Sequence, residues 1–212
     1  EEFAHDGPRF VQEGEVAAAL LALTREGGHL GRDDLARYAP EWRRPVIEAR
    51  GPARIALPPV PSLGGALIAF ALELTPRGGG PADLARALAA TVRARRETEL
   101  DAEPGAGAAR LLSPELRARY RDGLARRPAA LRGTTHVSVI DAEGTGVALT
   151  LSNGEGCGLI APGTGIMPNN MLGEADLLPH GFDSWPTGVR LSSMMAPLAV
   201  EWPDGRVAML GS

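Results

Sequence analysis

The feature that most constrains this chain is a change of periodicity at Gly133. Before it, apolar residues recur at helical spacing. After it, they alternate with polar ones. Val16 to Arg25, Asp33 to Tyr38, Ala66 to Leu74, Ala82 to Arg96 and Ser113 to about Ala125 read as helices, with Ser113 and Pro114 as N-cap and first-turn proline. "AEPGAGA" reads as a loop, and "RPVIEARGPARIAL" as two short strands joined at Gly51–Pro52. Beyond Gly133, "THVSVI" sets Val137 and Val139 on one face and Thr134, His136 and Ser138 on the other. "GVALTLS" repeats the pattern with Val147, Leu149 and Leu151, and "LAVEWPDGRVAML" reads as a hairpin turning at Asp204–Gly205. Helices first and strands later predict a layered α+β architecture.

Composition narrows the function classes. All 22 basic residues are arginine and the formal net charge is −4, which argues against a general nucleic-acid binder. Aromatic residues make up 4%, so the core rests on Leu, Val, Ile and Ala. Cys157 is the only cysteine, which rules out an internal disulfide and a cysteine-rich metal site. His5, His29 and His180 form no metal-binding spacing, and no apolar run is long enough to span a membrane. No cofactor is implied. The ends, "EEFAHDG" without an initiator Met and "VAMLGS", read as those of an internal segment of a longer protein. Localisation is therefore unknown from the N-terminus.

The stretch "LRGTTHVSVIDAEG" allows two readings. It is a strand that opens on polar β-branched residues, or the bond between Gly133 and Thr134 is cut and Thr134 becomes a new N-terminus.

Several ordered blocks resemble the γ-glutamyltranspeptidases: "GGHLGRDDLARY" with "RRPV", "LPPVPSLGG", "GTTHVSVIDAEGTGVALTLS", "GTGIMPNNMLGEADL" and "GVRLSSMMAPLAV". The resemblance implies an N-terminal-nucleophile hydrolase fold, an αββα sandwich of which this chain would hold an incomplete part. It also implies a division into residues 1–133, the mainly helical end of a large subunit, and 134–212, the mainly β start of a small subunit. The two subunits would pair after self-cleavage at Gly133–Thr134.

By the same resemblance Thr134 is the nucleophile. A hydroxyl needs a base beside it, and a freed α-amine with a pKa near ~8 supplies one on the same residue. A second hydroxyl should hold that amine and Oγ. It is Ser152 when aligned forward from Thr134, and Thr150 when aligned backward from "GCG". Asn153 and Glu174, with Asp176 as a rival to the latter, match the groups that accept a substrate ammonium. Ser192 and Ser193 match the pair that donates to its carboxylate. The implied substrate is a γ-glutamyl amide such as glutathione, with an amine or water as acceptor. Met171 stands where many members carry a polar glutamine, which keeps an acylase of the same superfamily as the alternative. A non-catalytic homologue is the rival from another class.

Members of the family are often periplasmic or secreted. Their oxyanion-hole glycines would follow Ser212 and their carboxylate-gripping arginine would precede Glu1. Each oxyanion donor contributes ~10²–10³ in rate, so this chain alone is expected to be inactive. His136 reads as structural, Cys157 as a small residue in a tight turn, and the arginines from Arg86 to Arg96 as a solvated helix face.

Overall fold

The computed structural model describes residues 2–25, 27–121 and 135–211. In chain order the elements are α1 (Glu2–Asp6), α2 (Arg9–Gln12), α3 (Glu15–Leu23), α4 (Arg32–Arg37), β1 (Val46–Arg50), β2 (Ala53–Leu57), α5 (Leu63–Leu74), α6 (Pro81–Glu97), α7 (Pro104–Leu111), α8 (Pro114–Arg121), β3 (Thr135–Ile140), β4 (Gly146–Leu151), β5 (Leu198–Glu201) and β6 (Val207–Leu210). The chain divides into two units, one of Glu1–Trp42 with Asn153–Met171, the other of Arg43–Ser152 with Leu172–Ser212.

The first unit is helical. Val16 and Leu20, one turn apart on α3, bury against Ala161 and are flanked by Phe10 and Leu35. α1 and α2 were not legible as helices, being only five and four residues long.

The second unit holds an antiparallel sheet in the order β1-β2-β5-β6 and a separate hairpin, β3–β4. Ile55 and Leu57 on β2 bury against Ala69 of α5. α5 is apolar almost all round, as a helix covered on several sides must be. Its Phe70 and Leu74 meet Ala87, Ala90 and Ala94 of α6, together with Leu100, Leu111 of α7 and Leu116 of α8. The small alanines let α6 lie close to α5.

α7 corrects the reading of "AEPGAGA" as a loop. Two glycines lower its helix propensity, but Pro104 suits a first turn and Gly107 allows a close approach. A Cβ on Gly107 would sit 2.7 Å from Leu100 Cα. That contact drives Leu111 to full burial, so packing overrides propensity here.

α8 begins as expected, with Leu116 N–H donating to Ser113 Oγ at 3.3 Å. Four elements then hold it. Arg117 Nη2 meets Glu48 Oε1 of β1 at 2.8 Å, Tyr120 donates to Glu97 of α6 at 2.7 Å, Arg121 pairs with Glu73 of α5 at 2.9 Å, and Leu116 joins the core reached by α7.

In the β3–β4 hairpin, Thr135 pairs with Leu151, Val137 with Leu149 and Val139 with Val147. The face carrying these valines and leucines is the exposed one. The polar face turns to β6, where Ser138 Oγ donates to the Met209 carbonyl at 2.9 Å. At the hairpin turn, the N–H of Thr145 above all, with those of Glu143 and Gly144, holds the Asp141 carboxyl below its ordinary value of 3.8.

Gly65 shows how tightly the start of α5 is packed. An added Cβ would collide with the Pro58 carbonyl oxygen, a main-chain atom that cannot swing aside. Gly65→Ala is expected to destabilise the protein by about 1–3 kcal/mol, read from the shift of its urea midpoint.

Candidate active site

Gly133 and Thr134 lie outside the described residues. Leu151 is the partner of Thr135, and Ser152 follows it directly, half-buried at the end of β4.

Thr150, the rival to Ser152, sits opposite His136 in the ladder. Its Oγ1 is 2.7 Å from His136 Nδ1, while Nε2 is 2.9 Å from Ser138 Oγ. Ser138 spends its single proton on Met209 O, so it accepts from Nε2–H. In the neutral imidazole Nδ1 then accepts from the Thr150 hydroxyl, and His136 is held at both ring nitrogens.

Ser192 and Ser193 come together with Asp176, Leu177 and Met194 around a small depression, its wall completed by Leu63 of α5 and by Arg95 and Asp101. Ser192 is 4% exposed, and its Oγ has no hydrogen-bond partner among the described residues. An unpaired buried hydroxyl is destabilising, so this one is suited to a ligand atom. Arg95 departs from the solvated-face reading. It holds Asp101 through both carboxylate oxygens at 2.6 to 3.1 Å, so the two charges largely offset each other in the wall.

Glu174 is 7% exposed, whereas Asp176 is exposed at the depression. Asn153 belongs to the first unit, where its Nδ2 donates to Met167 O at 3.1 Å. Met171 opens a single 3₁₀ turn, its N–H donating to Asn169 Oδ1 at 3.1 Å. Cys157 is half-buried, with its Sγ 3.4 Å from Leu159 O.

Among the described residues, no group of three or more His, Cys, Asp or Glu side chains could hold a metal ion. No helix among them is long and apolar enough to cross a membrane.

The sequence model described as Gamma-glutamyltranspeptidase matches residues 1–212. The chain belongs to the γ-glutamyltranspeptidase family. Two relatives in this family's orbit carry the name Acylase ACY 1 proenzyme. The protein from Pseudomonas sp. (strain V22) is 30% identical over 230 residues, covering 97% of this chain and 41% of the relative. That from Pseudomonas sp. (strain SE83) is 31% identical over 229 residues with the same coverages, 97% and 41%. The fold is shared with cephalosporin acylase from Bacillus halodurans, at a TM-score of 0.75 and 21% identity over 98% of this chain and 41% of that one. This γ-glutamyltranspeptidase-family chain therefore spans about two fifths of the length of the relatives it matches.

Three residues in or near this depression, Arg95, Asp101 and Ser62, were not legible as such in the sequence. Arg95 and Asp101 are six residues apart in a stretch with no motif, and only the turn after α6 brings them together. Ser62 was legible as part of a rigid turn, with no sign that it would meet a segment more than a hundred residues later.

Proposed function

We propose that the full-length protein is a self-processing amide hydrolase and acyltransferase, with Thr134 as nucleophile in an αββα N-terminal-nucleophile fold. The match of the family model over residues 1–212 supports this reading. Among the described residues, Ser152 follows Leu151, the partner of Thr135, and Thr150 lies opposite His136.

In maturation, Thr134 Oγ attacks the Gly133 carbonyl carbon, and its proton passes to the departing nitrogen of residue 134. That shift frees the amine of Thr134, and water then hydrolyses the resulting ester, releasing the Gly133 carboxylate and restoring the Thr134 hydroxyl. In turnover, that amine takes the Oγ proton as Oγ attacks the substrate amide carbon, then returns it to the leaving amine. The acyl group stays on Thr134 as an ester until water or a second amine accepts it. Residues 1–133 would belong to the large subunit and 134–212 to the small one.

For the acyl group, Ser192 and Ser193 would donate to a terminal carboxylate. Glu174 would accept from an α-ammonium, which makes a γ-glutamyl amide the first reading. Its support is the family match over residues 1–212. The second reading is an acylase for glutaryl-type amides lacking the ammonium. Met171, a weak acceptor, favours it, as do relatives named acylases. Paired assays of the mature enzyme with γ-glutamyl- and glutaryl-4-nitroanilide separate them. The γ-glutamyl reading expects kcat/KM at least about tenfold higher for the γ-glutamyl compound, the worth of one charge-assisted contact. The reverse order sinks it in favour of the acylase, and activity on neither sinks both.

A further inference from the structure

The serine pair does not hold itself in place. Leu63 N–H donates to Ser193 O at 2.9 Å, and Ser193 N–H donates to Pro61 O at 3.1 Å. These bonds form an isolated parallel bridge between Ser62 and Ser193. The Ser62 hydroxyl adds a third tie, donating to Met195 O at 2.5 Å.

Ser62 occupies the N-cap position of α5, where a serine ordinarily accepts from a main-chain N–H in the first turn. It makes no such cap here, and its hydroxyl serves the distant segment instead. Gly64 lets that segment lie against the helix: a Cβ there would collide with Met194 O and sit 2.9 Å from Ala196 Cβ. With both main-chain groups of Ser193 fixed, the buried Ser192 hydroxyl is left facing the depression without a partner among the described residues.

From this geometry we infer that Ser62 is a positioning residue for substrate recognition. By clamping Met195 to the start of α5, it fixes where Ser192 and Ser193 present their hydroxyls. The inference rests on the reading that this pair binds the carboxylate of the acyl donor. Ser62 touches no reacting atom, so its loss should weaken binding and spare the chemical step.

The test uses the full-length mature enzyme with the better of the two anilide donors. Ser62→Ala is expected to raise KM about five- to tenfold, the effect of one lost hydrogen bond, with kcat within about twofold of the parent. Ser62→Thr, which keeps the hydroxyl, should restore KM, and the extent of self-cleavage should not change. Where Ser62→Ala fails to mature, Ser62→Cys retains the volume with a weak donor and should show the same rise in KM. Ser193→Ala is the control for the underlying reading. A raised KM in Ser193→Ala with none in the Ser62 variants overturns the positioning role alone. An equal fall in kcat and kcat/KM for Ser62→Ala, unrelieved by threonine, also overturns it and marks a general packing defect. An unchanged KM in Ser193→Ala overturns the carboxylate reading and the Ser62 inference with it.

Discussion

Thr134→Ala is expected to leave the full-length protein as one uncut chain and to lower turnover by about 10⁴-fold or more. Nucleophile and base would be carried by the same residue, so one substitution removes both. Alanine supplies no oxygen to attack Gly133, the α-amine is never released, and no acyl-enzyme can form. Thr134→Ser separates hydroxyl chemistry from shape. It keeps Oγ but loses the methyl that restricts χ1, so it should still cut, more slowly. Intact-mass measurement reads the result directly: two fragments parting between Gly133 and Thr134 in the parent, and one uncut mass in the alanine variant. A parent that remains whole while hydrolysing amides would end the self-processing proposal. A Thr134→Ala variant that is cut like the parent would end the role of Thr134.

The neighbourhood of that bond also shows what sequence could and could not convey. Alternation in "THVSVI" and "GVALTLS" gave the hairpin, because a strand's period is local. It could not choose between Ser152 and Thr150, since both lie on the same face of one strand. The partner strand adds contacts that alternation cannot supply: Thr135 pairs with Leu151, and Thr150 Oγ1 lies 2.7 Å from His136 Nδ1. Alternation also said nothing about which face would be covered. Among the described residues, the apolar face is exposed and the polar one meets β6.

Propensity failed where packing competed with it. The glycines of "EPGAGA" argue for a loop, yet Gly107 serves as the contact that brings α7 onto Leu100. The serine pair was legible as a motif, but its support was not. Ser62 and Met195 are 133 residues apart, and nothing periodic links them. Residue type can suggest a site. The tie that orients it depends on tertiary contacts.

The same dependence makes Phe70 the core position with most to lose. Phe70→Ala is expected to destabilise the full-length protein by about 4 kcal/mol, in the upper half of the range for such truncations. The spread in that range reflects how far a site can collapse, and this one has little capacity to do so. Facing Phe70 are Ala87, Ala90 and Ala94 of α6, which have no side-chain atoms to swing into the void. The Phe70 ring also stands edge-on to Tyr120 at 5.4 Å, the residue that ties α8 to Glu97. Self-cleavage as proposed needs the folded precursor, so the loss should reach maturation as well as stability. Denaturant unfolding should show the lower midpoint, and a time course of intact mass should show slower cutting than in Phe70→Leu, which fills more of the space. A Phe70→Ala protein that unfolds with the parent would mean the alanine-lined core closes around the gap. One that is destabilised yet cuts at the parental rate would separate α8 from the cleavage step.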